Sequence, residues 1–168
     1  MRHAVIVRLV GLPPSVLAAL SRGDLVGAGS LLGHELPGYF AGPELRHVWR
    51  LRLDQLTSDP ASAPWSIHLA MAGAVAVGHG GFHGRPDATG TVEVGYSVDP
   101  AYRRRGHGKA ILRELLRRAG AEPGVSRVRA TIDRGNLASL ASIGGLGFVR
   151  VAERGRELVF EASLDDLG

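Results

Sequence analysis

Residues 92–118, VEVGYSVDPAYRRRGHGKAILRELLRR, change hydrophobic period in mid-stretch. Val92, Val94, Tyr96 and Val98 alternate with Glu93, Gly95 and Ser97, the period of a two-faced strand. Asp99-Pro100 ends the alternation, because the residue before a proline is pushed out of the helical region. Arg103, Arg104 and Arg105 then meet Gly106, His107 and Gly108, after which Leu112, Leu115 and Leu116 recur at helical spacing. A strand therefore runs through a basic, glycine-containing turn into an amphipathic helix. The first amides of such a helix have no intrahelical partners, and glycines leave them uncrowded, so the junction predicts an anion site. Any fold of the chain has to accommodate it.

The flanking sequence supplies more of both periods. Residues 3–9 read as a first strand, ended by Leu12-Pro13-Pro14, which starts a short helix through Leu20. Asp24 caps a weaker helical piece over about 24–32, with Gly27 and Gly29 against it. Residues 33–42 read as a loop. A stronger helix over about 43–57 places Leu45, Val48, Trp49, Leu53 and Leu56 on one face. After a polar connection at 58–64, strands are expected at 66–71 and 74–79, with a turn at Ala72-Gly73 and a glycine-rich continuation to Gly84. Residues 85–90 form a hairpin turn into the strand 91–98. Beyond the helix at 108–121, a strand at 127–132 precedes a helix over 137–145 capped by Asn136. Strands at 148–153 and 157–162 close the chain. The order, β-α-α-β-β-β-α-β-α-β-β, is an α+β chain: an antiparallel meander, a central βαβ unit and a closing hairpin.

The 168 residues are most simply one domain, 1–168. There is no cysteine, which removes disulfides, thiolate metal sites and cysteine nucleophiles and suits a reducing compartment. The apolar run AVIVRLV carries Arg8 and is too short to span a membrane, so a cytoplasmic protein without a membrane partner is expected. The net charge of +4 raises the question of nucleic acid. Acidic residues are interleaved with the basic ones, and only 103–105 form a dense basic run. That pattern favours a small anionic ligand over a long polyanion. Edge strands and an apolar N-terminal helix face would allow a homodimer, though no interface is legible.

Two phosphate motifs fail. A Walker A loop needs glycine at 103 and Ser or Thr at 110, where the chain has Arg103 and Ala110. A dinucleotide fingerprint needs glycine at 111, which is Ile111. The histidines are scattered, and His79 with His83 lacks partner carboxylates, so no metal is expected.

What remains is Arg103-x-x-Gly106-x-Gly108. It resembles the acyl-CoA-binding signature of the GNAT superfamily of N-acetyltransferases. Asn136-Leu-Ala-Ser139 followed by Leu146-Gly147-Phe148 resembles a second segment of that family. Glu93-Val-Gly-Tyr96 is similar to a strand of the branch that includes ribosomal-protein N-terminal acetyltransferases. The resemblance covers roughly 66–160. It implies a twisted, mostly antiparallel sheet of six to seven strands with a splayed parallel pair at its centre and helices on both faces. It also implies acetyl-CoA as cosubstrate and an amine acceptor, either a small molecule or a peptide N-terminus. The runner-up reading is a CoA-binding sensor without turnover, and a nucleic-acid-binding domain comes third.

The resemblance also implies roles. Arg103, Arg104, Arg105, Gly106, His107, Gly108 and Lys109 would take the pyrophosphate. Tyr96, Ser97 and Val98 would pair with the pantetheine like an added strand, with Asn136 and Ser139 beside it. Glu93 is the first choice of base, with His83 and His79 behind it. Many relatives carry a tyrosine where this chain has Ile143, so its neighbour Ser142 is the candidate that protonates the thiolate. The acceptor is expected near His34, Glu35, Tyr39 and Phe40, on a loop over the splayed strands.

Overall fold

The computed structural model describes residues 4–167. Strand β1 (Arg8–Gly11) leads to helices α1 (Pro14–Ser21), α2 (Leu25–Leu32) and α3 (Pro43–Ser58), then to strands β2 (Ile67–Ala72), β3 (Val75–Phe82) and β4 (Thr91–Val98). Helix α4 (His107–Gly120), strand β5 (Arg127–Asp133), helix α5 (Leu137–Ser142) and the hairpin β6 (Val149–Arg154) and β7 (Glu157–Ser163) follow. One seven-stranded sheet runs in the order β1-β2-β3-β4-β5-β7-β6. Every neighbouring pair is antiparallel except β4 with β5. The expected α+β architecture, with a central parallel pair, is thus the observed one.

Each face of the sheet carries its own core. On one, α4 turns Ile111, Leu112, Leu115 and Ala119 onto Val77, Val92, Val94 and Val128. On the other, Leu17, Leu20, Trp49 and Leu56 cover Leu69, Met71 and Ala76. Trp49 anchors that second core: its indole N–H donates to the Phe40 carbonyl at 2.9 Å, and its ring meets His79 edge-on at 5.4 Å. Even-numbered residues of β4 therefore face α4, and Glu93, Gly95 and Ser97 face the side of α1–α3.

Several expected elements differ. The first strand is shorter than 3–9, because only Arg8 to Gly11 find partners in β2, from Met71 to His68. His3 lies outside the described residues. The piece expected over about 24–32 with Asp24 as its cap is α2, so the element order gains a third helix before β2: Asp24 accepts from the Gly27 amide at 2.8 Å, and this cap lets α2 form despite its glycines. The hairpin turn after β2 falls at Gly73-Ala74, with Gly73 at φ 60°. α5 stops at Ser142, before the glycine-rich stretch 144–147. The strand expected over 74–79 runs on through the glycine-rich continuation as far as Phe82, so β3 is longer than expected.

The last difference follows from close packing. A Cβ on Gly80 would stand 2.5 Å from Ile111 Cγ2, so the strand needs glycine where α4 presses on it. Gly80→Val should destabilise the fold by about 1–3 kcal/mol, the usual cost of overpacking, read as a lower urea midpoint.

Candidate active site

The parallel ladder of β4 and β5 runs from Thr91–Arg127 to Val94–Ala130 and stops. On its other edge β4 stays paired with β3 as far as Val98. Residues 95–98 therefore have a free edge where β5 diverges. This gap opens directly beside the start of α4.

The turn between them is built to present amides. Arg104 and Gly106 both adopt left-handed backbone, at φ 63° and 88°. Glycine does so freely, whereas the arginine costs of the order of 1 kcal/mol. α4 then begins at His107 without a side-chain cap, which leaves its first N–H groups for a ligand. His107 is held aside, with Nδ1 at 3.0 Å from the Tyr102 carbonyl oxygen. Arg103 Nε donates to the Val98 carbonyl at 3.0 Å, tying the turn to the end of β4.

A cavity of about 960 Å³ spans the strand end, the turn and α5. It brings together Tyr96, Ser97, Val98, Arg103, Arg104, Gly106, His107, Gly108, Lys109, Asn136, Ser139 and Ser142. Arg105 is not among its walls; its guanidinium lies 5.8 Å above the Tyr102 ring instead. Tyr102 is a wall that sequence reasoning did not single out, although it immediately precedes the arginines. Asn136 accepts from the Ser139 amide at 3.1 Å and so fixes the start of α5. Ser142 Oγ donates to the Ala138 carbonyl at 2.9 Å. The Tyr96 hydroxyl lies 3.4 Å from the Ser139 carbonyl oxygen. Burial raises the Tyr96 hydroxyl's pKa, opposed by hydrogen bonds with Ser142 and Ser139. Gly108 forms the floor: a Cβ there would stand 3.0 Å from Ser142 Oγ and 3.6 Å from Tyr96 Cε2.

Glu93 lies on the opposite face of β4, outside this cavity. Its Oε1 accepts from the Thr131 hydroxyl at 2.6 Å, and Oε2 lies 3.3 Å from His83 Nδ1. These contacts move its carboxyl from the usual 4.5 to about 2, the hydrogen bond with His83 first. Partial burial opposes, while Thr131 and the charges of His83 and Arg129 add to the lowering. Next along the same face, the Ser97 and Tyr39 hydroxyls are 2.5 Å apart, so the 38–41 turn closes over the end of β4. The other residues expected near this face separate. Phe40 is fully buried and stacked on Trp49, Glu35 is exposed, and His79 is 8% exposed beneath Trp49. Burial and the Arg52 charge push His79 down to about 4. Thr131 and the pairing of His83 with Glu93 were missed, because their contacts join separate strands.

A second cavity of about 660 Å³ lies between the start of α1, the end of α3 and β2. No arginine or lysine lines it, so it is poorly suited to a polyanion. Among the described residues no cluster of metal-ligating side chains occurs, and no helix is long and apolar enough to cross a membrane.

A family model described as an acetyltransferase (GNAT) domain matches residues 39–149. A curated Bacillus subtilis (strain 168) protein, Uncharacterized N-acetyltransferase YjdG, is 34% identical over 73 residues. That match covers 44% of this chain and 44% of the relative, so the chain spans less than half of that protein's length. Mycobacterium smegmatis RimJ, solved in complex with CoA-disulfide, superposes with a TM-score of 0.68 at 19% identity, covering 96% of this chain and 83% of that one. The Salmonella typhimurium yncA protein, solved with its cofactor acetyl-CoA, gives 0.62 at 19% identity and covers 95% of both chains. At these identities the structural likeness speaks for the fold.

Proposed function

The chain belongs to the GNAT acetyltransferase family, and on that premise we propose that it moves an acetyl group from acetyl-CoA directly to a primary amine. The amine is a peptide N-terminus or a small amine. The observation that carries this reading is the free edge of β4 at 95–98, opening into the same cavity as the uncapped start of α4.

The residues fit a CoA thioester part by part. Amides of 104–109 meet the pyrophosphate, and each charge at a helix N-terminus gains about 0.3–1 kcal/mol, more where partly buried. Arg103, Arg104 and Lys109 add charge-assisted bonds. Arg105 acts indirectly, through a stacking contact with Tyr102 worth about 0.5–1 kcal/mol. The free backbone of 95–98 pairs with the amide-bearing arm as an added strand would. One of its N–H groups polarises the thioester carbonyl, as an oxyanion donor does. Asn136 and Ser139 hold the far wall. Ser142 and Tyr96 bring hydroxyls toward the departing sulfur, in place of the tyrosine missing at Ile143. The amine approaches from the opposite face, past Glu93, His83 and Tyr39.

A thiol-release assay with acetyl-CoA tests this reading over a panel of peptides with free N-termini, amino acids, polyamines and aminoglycosides. Thiol release that depends on one class of amine, with the matching amide in the mass spectrum, is expected. Hydrolysis of acetyl-CoA at a rate indifferent to every amine would contradict it.

A further inference from the structure

Direct transfer needs a group to take the proton of the attacking amine. Glu93 is the obvious carboxylate, but its environment stabilises its charge from three directions. Thr131 donates to one oxygen, His83 faces the other, and Arg129 stands opposite Glu93 across the β4–β5 ladder. A carboxylate held well below neutral is a weak proton acceptor.

The neighbouring imidazole is placed differently. His83 follows β3, and its amide donates to the Glu93 carbonyl at 2.8 Å, which fixes its backbone against β4. Gln55 Nε2 reaches the His83 carbonyl from α3 at 3.4 Å. With Nδ1 directed at Glu93, Nε2 is the free nitrogen. It lies over Gly95: a Cβ there would stand 2.6 Å from Nε2. Gly95 is also the first residue of β4 beyond the ladder to β5. Nε2 therefore overlooks the point where the strands part, on the face away from α4. The side chain is 47% exposed, so an amine can reach it.

We propose that His83 accepts the proton of the acceptor amine through Nε2, and that Glu93 is a positioning residue that holds the imidazole by Nδ1. This rests on the acetyl-transfer reading above. The nitrogen lone pair forms the bond to the thioester carbonyl carbon, the carbon–sulfur bond breaks, and sulfur leaves with its electron pair. The nitrogen's proton passes to Nε2, and Glu93 stabilises the resulting imidazolium. The thiolate takes a proton from the hydroxyl side of the cavity or from water, so the products are an amide and the CoA thiol. Gly95 has a specific role here, since any side chain would displace the imidazole. Other charges near His83 are Arg52, which donates to Gln55 at 2.8 Å, and the Arg85–Asp59 pair.

The test is a set of pH–rate profiles for the wild type, His83→Gln and Glu93→Gln, with acetyl-CoA affinity measured on each. A general base acts only in its unprotonated form. The wild type should lose kcat/KM for the amine on an acidic limb. His83→Gln should abolish the limb and lower kcat/KM about 100-fold or more, as loss of a general base does, with acetyl-CoA affinity unchanged. Glu93→Gln should lower the rate less and keep the limb, because the imidazole remains but its Nδ1 is no longer held. A His83→Gln variant that keeps both limb and rate would overturn the proposal, as would one that also loses acetyl-CoA affinity. A wild type inactive toward every amine would instead count against the acetyl-transfer reading itself.

Discussion

Gly108→Val is expected to leave the protein folded and to weaken acetyl-CoA binding by at least ~100-fold, about 2.7 kcal/mol. The position is the floor of the cavity, between Ser142 Oγ and Tyr96. Even a Cβ is tight against the serine, and the two methyls of valine project further into the space for the pyrophosphate and the arm. They also screen the unpaired amides at the start of α4, which are the main attraction for the phosphates. The backbone tolerates the change, since residue 108 lies inside α4 and valine is a better helix former than glycine. Thermal melting without ligand separates folding from binding: the midpoint should hold while calorimetric affinity collapses. An unchanged affinity would mean that the coenzyme binds elsewhere.

The second large effect is on stability against acid. His68 and His79 are both buried and both shifted from 6.5 to about 4. For His68 burial is the main cause, followed by the Arg118 charge, with the Ser66 carbonyl opposing. For His79 burial leads and Arg52 adds to it. In the unfolded chain each imidazole takes up its proton near 6.5, while the folded protein resists until about 4. The stability they carry is therefore complete above pH 6.5 and is lost as pH falls toward 4. Each contributes of the order of 3 kcal/mol, so together they rival a large part of the roughly 5–15 kcal/mol that holds a domain folded. Urea midpoints between pH 7.5 and 4 should fall steeply. His79→Phe should remove about half of that fall at little cost near neutrality, because neither ring nitrogen of His79 has a hydrogen-bond partner to lose. The depressed Glu93 carboxyl acts in the same direction but further down, between 4.5 and about 2.

The parts of the molecule that were legible in the sequence are those written in local periodicity and local chemistry. β4 runs over Thr91–Val98 as its alternation predicts, since a buried face on α4 fixes its parity. The turn and the start of α4 are equally local: two glycines, a proline and a change of period fall within ten residues. Asn136 is a cap both by type and in its bond to Ser139.

What was not legible depends on partners distant in the chain. That β3 continues through its glycines is explained only by Ile111 pressing on Gly80 from α4. Arg52 is buried on α3, although a charged side chain in the sequence points to solvent. Arg105 has the same type and neighbours as Arg104, and only the position of the Tyr102 ring directs it away from the cavity. The pairing of His83 with Glu93, and of Glu93 with Thr131, needs the register of three strands. Sequence spacing holds no trace of it, and so the carboxylate and the imidazole looked like rival bases rather than partners.

The central claim is that acetyl-CoA lies across the turn and along the free edge of β4. Amide hydrogen exchange with and without acetyl-CoA tests it most directly. Protection should appear at residues 95–98 and 104–109, with a smaller effect in α5, while the apolar cavity between α1, α3 and β2 stays unchanged. No added protection at 95–98 and 104–109, or protection confined to that second cavity, would contradict it.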